Sequence, residues 1–441
     1  MKWLWKLLRQ PSAGTLPSGP FSWVEGEPTA RERTLSSGSP SPQERGPGGE
    51  VHPLGWLLLL FLLAARPAQA QAQQLLNYPY TDSLTQALLA QQRYRALDSV
   101  GRAALALGAD YPALRRRLGA GALATDHPAA ALRYYGPALR QNPLDDDARA
   151  GLASAYLALN QPGAAALLAG GLAPETRRAL GLPQAQALAQ VEVESSVQAT
   201  TEPRRGTGFY QRLGASSRLG PRLSLLQSLS YYGQVVELPA FRGPGTVENQ
   251  RISQGQYQAL LTGQLAPRWQ AKIGYDYLTR YLGSNHLGYL ALAYARPAWV
   301  AQAGLYAGTV TDTARTQADL RLTVYPLGNL RLYGFGRGSV VHSAGRGYPN
   351  GLLGVGGRLR PWLWAEAWGS AGTVPVLAEA DGTYIYNLLD PLGRRAAASL
   401  LILPARRVRL RLVYSAEQRR ITFINQVYTL HSYSASLAWN W

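Results

Sequence analysis

The chain has 441 residues, 44 Lys and Arg against 26 Asp and Glu, a formal net charge of +18 and no cysteine. The lack of cysteine excludes disulfides, thiolate metal sites and cysteine nucleophiles. Only three basic residues are Lys (Lys2, Lys6 and Lys272), so the charge is almost purely arginine. Two explanations fit this arginine surplus equally well. One is a biased base composition of the genome, and the other is binding to phosphate or lipid. Tyr and Trp, at 25 and 11, outnumber the 6 Phe, a bias that suits boundaries between an apolar phase and water.

The first part of the chain predicts an export signal. Residues 1–54 are rich in Pro, Gly and Ser without apolar periodicity, and we expect a disordered or wrongly assigned leader. Residues 55–70 then combine an apolar run, Trp56 to Ala65, with small residues before a cleavage site near Gln71. The alternative is a buried core helix, since the run is too short for a membrane helix of about 20 residues. No cysteine follows, so a lipoprotein anchor is excluded.

Residues 75–182 are rich in Ala and Leu at helical spacing and predict a helical module. Two stretches align at an offset of 34 residues, with a degenerate unit before them around Ser83 to Leu107. The matching positions resemble the large, small, aromatic and terminating residues of tetratricopeptide repeats. They are Leu118, Gly119, Ala131, Tyr135, Ala138 and Pro143 in the first stretch and Leu152, Ala153, Tyr156 and Ala165 in the second. The resemblance implies that the module docks a periplasmic protein, with Arg115 to Arg117 as candidate residues of the docking groove. The alternative is that the module is only a spacer.

From residue 187 to the C-terminus the pattern changes to a period of two, with apolar residues alternating with polar ones. Alternation alone also fits a soluble sandwich. However, short turns recur around Pro221, Pro267, Pro297, Pro326, Pro361 and Pro404, spaced for two strands and one longer loop, such as Glu237 to Gln250 or Val374 to Arg394. This spacing predicts an antiparallel transmembrane β-barrel of about 14 strands (12–16) over residues 187–441. An even number of strands places both barrel ends on the periplasmic side, with the helical module.

If the apolar positions face lipid, the alternate positions of the strands form an electropositive lumen, opposed by Asp276 and Asp319. Such a lumen could attract anionic solutes or acidic sugars, or it could be sealed, with strand-end arginines contacting lipid phosphates. The predicted inward basic residues are Lys272, Arg280, Arg321, Arg331, Arg337, Arg358, Arg360, Arg407, Arg409 and Arg411.

Catalysis has few candidate residues. His286 has Ser284 and Asn285 beside it, and lipid-modifying barrels use Ser, His and a polar orienting group, but sequence neighbours are poorly placed for a triad. The parity of His431 places it in the outer girdle. No metal-ligand spacing occurs, and the glycine-rich Leu352 to Gly357 is not followed by a helix, so we predict no cofactor, no metal and no nucleic acid partner.

The chain ends Y-S-A-S-L-A-W-N-W, in which Tyr433, Leu437, Trp439 and Trp441 share one parity. We predict that this face contacts lipid, and that the last strand closes the barrel against the first. The terminal aromatic pattern also resembles the signal by which the barrel-assembly machinery recognises its clients.

Together, the signal peptide, short repeats and barrel resemble YaiO-like outer-membrane proteins and, more distantly, exopolysaccharide exporters. The resemblance implies a non-enzymatic barrel in the outer membrane of a Gram-negative bacterium, with its repeats in the periplasm. Its expected role is to pass, or to assist the export of, a polysaccharide or an anionic solute. The alternatives are a closed structural or assembly barrel that anchors the repeats and, third, a lipid- or lipopolysaccharide-modifying enzyme.

Overall fold

The computed structural model describes residues 74–239, 247–280, 283–386 and 388–441. The predicted leader and signal peptide lie outside these ranges. The described chain has a helical part followed by a β-barrel. None of the described helices combines the length and the apolar character needed to cross a membrane.

The helical part consists of short helices whose ends follow from local sequence. Proline stands at the first turn of several of them, where its missing N–H needs no partner. The Asp145 carboxylate caps the helix that follows it by accepting from the Ala148 N–H at 2.9 Å. The helices are α1 (Tyr78–Ala90), α2 (Tyr94–Ala106), α3 (Pro112–Ala124), α4 (Pro128–Gln141), α5 (Asp146–Ala158), α6 (Pro162–Ala166) and α7 (Pro174–Ala179).

Tyr135 is the centre of packing in the helical part. Its ring is buried between α3 and α5, and a Cβ added at Gly119 or Gly151 would lie 2.7 or 2.2 Å from it. Only glycine allows the ring to approach both backbones so closely. The other predicted packing residues Leu118, Ala131, Ala138, Leu152, Ala153 and Ala165 are also buried, whereas Tyr156 is half-buried and Pro143 is exposed after the end of α4.

Arg115, Arg116 and Arg117 do not form an open basic groove. Arg115 pairs with Asp110, Arg116 with Asp145 at 3.2 Å, and Arg117 with Asp82 at 2.6 Å. The last pair joins α3 to α1, and the hydrogen bond from Arg117 holds the pKa of the Asp82 carboxyl below its ordinary value. Arg116 and Arg117 therefore fix α3 to the start of α5 and to α1, whereas Arg115 pairs with the segment that precedes its own helix.

The predicted barrel is confirmed: fourteen antiparallel strands of the described chain close into one sheet. At 12 to 20 residues, each exceeds the 9 to 11 or so that a tilted strand needs to cross a bilayer. The barrel strands are β1 (Gln186–Thr200), β2 (Arg205–Gly220), β3 (Leu223–Pro239), β4 (Val247–Ala266), β5 (Trp269–Arg280), β6 (Gly283–Arg296), β7 (Trp299–Val310), β8 (Thr313–Val324), β9 (Leu332–Ser343), β10 (Arg346–Arg360), β11 (Leu363–Val374), β14 (Leu392–Ala405), β15 (Val408–Ile421) and β16 (Gln426–Asn440). Two short strands, β12 (Leu377–Glu379) and β13 (Tyr384–Tyr386), pair separately.

The seam of the barrel joins its last strand to its first. Gln190 is the register partner of Asn440 and Thr200 that of Leu430, and the Trp441 N–H donates to the Ala189 carbonyl at 3.2 Å. Closure satisfies the backbone groups that an edge strand would leave unpaired. In β16 and the residue after it, the side chains of one parity are exposed on the outer face, namely Tyr433, Leu437, Trp439 and Trp441.

The two faces of the barrel wall differ sharply in polarity. Outward positions carry large apolar side chains, among them Leu353, which is 76 % exposed, Leu320 and Ile273. The alternate positions on the inside are mostly polar or charged and buried, such as Lys272 and Asp276 on β5. An apolar exterior around a polar interior is the reverse of a water-soluble barrel and is the arrangement of transmembrane barrels.

The strand connections differ from the sequence expectation in three respects. Pro404 lies inside β14, and the turn follows at Arg406–Arg407. The ends opposite the proline turns are also mostly short: β7–β8 and β9–β10 are joined by two residues each, because Thr311, Asp312, Ala344 and Gly345 adopt the left-handed conformation of tight hairpins. The long segment predicted as an external loop, Val374 to Arg394, folds into the lumen instead.

Candidate functional site

The connection between β11 and β14 forms a plug inside the barrel. We define the plug as the described residues 376–386 and 388–391; it contains β12, a single 3-10 turn at Ala380–Gly382, and β13. Val376, Ala378 and Ile385 pack in one buried cluster with Leu260, Leu278, Tyr289 and Tyr306 of the wall. The plug therefore crosses the lumen and is part of the core of the barrel.

Glu379 fixes one side of the plug through two buried arginines. Its carboxylate accepts hydrogen bonds from Arg395 of β14 at 2.7 and 2.8 Å and from Arg337 of β9. All three side chains are largely buried. Because a buried charge is costly without a partner, the carboxylate and the two guanidinium groups stabilise one another only while the plug is inside.

Asp381 fixes the tip of the plug to the opposite wall. Its carboxylate accepts from Lys272 Nζ at 2.7 Å, from the Tyr289 hydroxyl at 2.6 Å and from Gln302 Nε2 at 2.8 Å. Arg321 lies 4.0 Å away. Asp381 is fully buried, so these donors replace the water that the carboxylate would bind outside.

The backbone of the tip is held as firmly as its side chains. Gln258 and Gln256 donate to the carbonyls of Asp381 and Gly382, both at 3.1 Å. Ala380 and Asp381 have φ angles of 49° and 58°, a left-handed conformation that costs residues other than glycine roughly 1–2 kcal/mol each. Such strain persists only where surrounding contacts over-determine it, and it often marks a functional element.

The return half of the plug contacts the strands on either side of the seam. The Tyr384 hydroxyl donates to Glu194 at 2.8 Å, and Arg212 lies 5.9 Å above its ring. Asp390 forms a buried ion pair with Arg205 at 2.6 Å and accepts from the Tyr428 hydroxyl at 2.9 Å. With Glu379 and Asp381, these contacts attach the plug to wall strands on all sides of the lumen.

The helical part lies against the mouth of the barrel at the proline-turn end. The Asp126 carboxylate pairs with Arg331 at 2.5 Å and with Arg358 at 3.0 Å, and the Ala129 N–H donates to the Gly328 carbonyl at 3.2 Å. Farther round the rim, Gly163 of α6 packs against Gln264 of β4. The module is thus joined to the rim at well-separated points.

A cavity of about 280 Å³ lies between the module and the inner wall of the barrel at its mouth. We call it the vestibule. Its walls come from the residues before and within α6, from the turns of β2–β3 and β4–β5, and from inward residues of β5, β7 and β8. The basic residues among them are Arg218, Arg222, Arg268, Lys272 and Arg321.

The predicted basic lumen residues separate into three groups. Lys272, Arg321 and Arg337 bind plug carboxylates, and Arg409 and Arg411 lie on the inward parity of β15. Arg331 and Arg358 instead reach the helical module at the rim, while Arg360 and Arg407 are exposed where β10 ends and where β15 begins. The side chain of Arg280 lies outside the described residues. The difference arises because residues at the ends of strands, or in the turns beside them, lie at the rim and not inside the lumen.

Several inward residues were missed by the sequence analysis. Arg205, Arg212, Arg395 and Arg419 are buried inside the barrel, as are the acids Glu194, Glu366 and Glu417. These residues alternate with outward-facing residues along their strands, and that alternation is the sequence signal that identifies them as inward-facing. The acids neutralise much of the predicted positive charge, since Arg212 pairs with Glu194 at 3.0 Å and Arg419 with Glu417 at 2.6 Å.

The Ser284–Asn285–His286 set is not arranged as a catalytic triad. His286 lies on the exposed outer face, with Nδ1 2.7 Å from the Tyr275 hydroxyl, whereas Asn285 is buried on the other face and accepts from the Asp312 N–H. His431 makes a similar outer contact with Tyr414 at 2.9 Å. Within the described ranges, no group of His, Asp and Glu side chains has the geometry of a metal site.

No protein-family model matches the chain, and no curated protein matches it. Among solved structures, the Pseudomonas putida toluene transporter TodX is 11 % identical with a TM-score of 0.42, the match covering 58 % of this chain and 90 % of that one. A bacterial polysaccharide outer membrane secretin is 11 % identical with a TM-score of 0.39, covering 58 % and 99 %. A Pseudomonas aeruginosa FadL homologue is 9 % identical with a TM-score of 0.39, covering 59 % and 92 %. The barrel assignment rests on the strand pairing of this chain.

Proposed function

We propose that the chain is an outer-membrane barrel that passes an anionic solute or an acidic polysaccharide segment when its plug leaves the lumen. The apolar exterior supports the membrane location. The observation that carries the proposal is the plug, a loop folded into a polar lumen and held there by carboxylates on arginine and lysine side chains. The same cations attract anions once the carboxylates are withdrawn.

The helical module supports a second part of the proposal. Its contacts at the rim place it beside the mouth at the proline-turn end, which we assign to the periplasm because the module precedes β1 there. A partner that binds the module is then next to the vestibule. We propose a periplasmic protein as that partner, and the barrel-assembly machinery as the receptor of the terminal strand.

A closed structural barrel is the second candidate. The density of buried ion pairs between plug and wall favours it, because each pair opposes release of the plug. In that case the barrel would only anchor the helical module in the membrane.

Swelling of liposomes that contain the purified barrel, either as the full chain or without the plug, tests whether the lumen conducts. We expect swelling in an isosmotic sugar acid to be faster than in the neutral sugar of the same size for a variant that lacks the plug. If the plug-free barrel is folded and the liposomes do not swell in either solute, the closed barrel is correct and the transport proposal is wrong.

A further inference from the structure

The lining of the vestibule is basic. Five cationic side chains line it, and among its described lining residues there is no Asp or Glu. The remaining lining is rich in amide and hydroxyl groups, including Gln270, Gln302, Thr262 and Thr323. A volume of about 280 Å³ is close to the lower end of the roughly 300–1,000 Å³ of ligand pockets. Cations beside amides and hydroxyls suit a ligand that carries both a carboxylate and hydroxyl groups.

Three of the vestibule residues also hold the plug. Lys272, Gln302 and Arg321 line the vestibule, and the same three surround the Asp381 carboxylate from the other side. Asp381 thus occupies, as an internal anion, the donors that an anion arriving from the vestibule would use. The backbone at Ala380 and Asp381 that presents this carboxylate is in the left-handed conformation, which is strained for residues other than glycine.

We propose that Lys272, Gln302 and Arg321 form a binding site for the carboxylate of a sugar acid, and that this ligand displaces Asp381 and so releases the plug. The inference rests on the proposed passage of anionic solutes, and it adds the ligand class, the site and the trigger. Ligand and Asp381 compete for the same donors, so each weakens the binding of the other.

Calorimetric titration of the detergent-solubilised full chain with tri-galacturonate tests the competition. We expect D381N to bind at least tenfold more tightly than the wild type, because the internal competitor has lost its charge. K272Q and R321Q should each weaken binding at least tenfold. E366Q is the matched control: it replaces a buried carboxylate of the wall, whose partners Tyr333 and Ser399 are not vestibule residues, and its affinity should stay within about twofold of the wild type.

A second measurement needs no change at the site. The chain has no cysteine, so a single Ile385→Cys substitution reports the exposure of a buried plug residue to a membrane-impermeant thiol reagent. Saturating tri-galacturonate should accelerate labelling at least tenfold, and neutral maltotriose should not. The inference is overturned if neither the wild type nor D381N binds tri-galacturonate, if D381N binds no more tightly than the wild type, or if labelling is unchanged. Binding without liposome swelling would instead contradict only the transport proposal.

Discussion

Neutralising Glu379 should release the plug without unfolding the barrel. The carboxylate is shared by Arg337 and Arg395, so the E379Q substitution removes the plug charge that both buried guanidinium groups contact, while Arg395 keeps Glu417 of the wall at 3.8 Å. Removing one partner of a buried ion pair costs about 3–5 kcal/mol. The lower figure applies here, because Gln can still accept one hydrogen bond. At 1.4 kcal/mol for each factor of ten, about 3 kcal/mol shifts the plug equilibrium toward the open state about 150-fold.

The labelling rate of the Ile385→Cys variant measures that shift directly, since labelling requires Ile385 to leave its buried position. We expect labelling about two orders of magnitude faster in the E379Q background. E366Q is the control, because Glu366 is an equally buried carboxylate that accepts from Tyr333 and Ser399 of the wall. Equal labelling rates in E379Q and E366Q, with both barrels folded, would refute the assignment of Glu379 as a latch.

Three further predictions concern the module and the seam. D126N should free the module from Arg331 and Arg358 and so speed proteolysis between the module and the barrel. D98N, which removes an ion pair within the module, should not change the cleavage rate. Equal cleavage rates in the two variants would contradict the rim contact. G151A places a Cβ 2.2 Å from the buried Tyr135 ring and should destabilise the helices by about 1–3 kcal/mol, measured in thermal melts followed by circular dichroism. G170A is the control, because no atom lies within 4 Å of a Cβ at that position. Equal melting temperatures in the two variants would refute this packing. Deleting Trp439–Trp441 removes seam pairs and should abolish heat-modifiable barrel in membranes, so normal barrel formation would refute the role of the terminal strand.

The barrel could be predicted because the side-chain pattern that specifies it is local and repeats along the chain. Alternation of side chains across a strand is a property of every residue pair, so strands such as β5 and β8 are visible without knowledge of their neighbours. The same holds for the small residues around Tyr135, since helix contact requires them at fixed spacing. The number of strands could be predicted because the proline-containing turns can be counted in the sequence and each turn joins two strands.

The plug could not be predicted because its stability comes from long-range pairs. Asp381 meets Lys272, 109 residues earlier, and Glu379 meets Arg337, 42 residues earlier. Neither acid has a local partner that would set it apart from a residue of an exposed loop. The segment is therefore predicted as an external loop, and the positive charge of the lumen is overestimated because these carboxylates neutralise part of it.

Ion current through single barrels in a planar bilayer tests the central claim most directly. The comparison is between the full chain and a variant in which residues 377–386 are replaced by a short Gly-Ser linker. We predict little current from the full chain and a steady current from the plug-free barrel. The current should be selective for anions, because Lys272, Arg337 and Arg395 lose their plug carboxylates. A folded plug-free barrel that carries no current, or a full chain that conducts as well as the variant, would contradict the claim that this loop closes a conducting lumen.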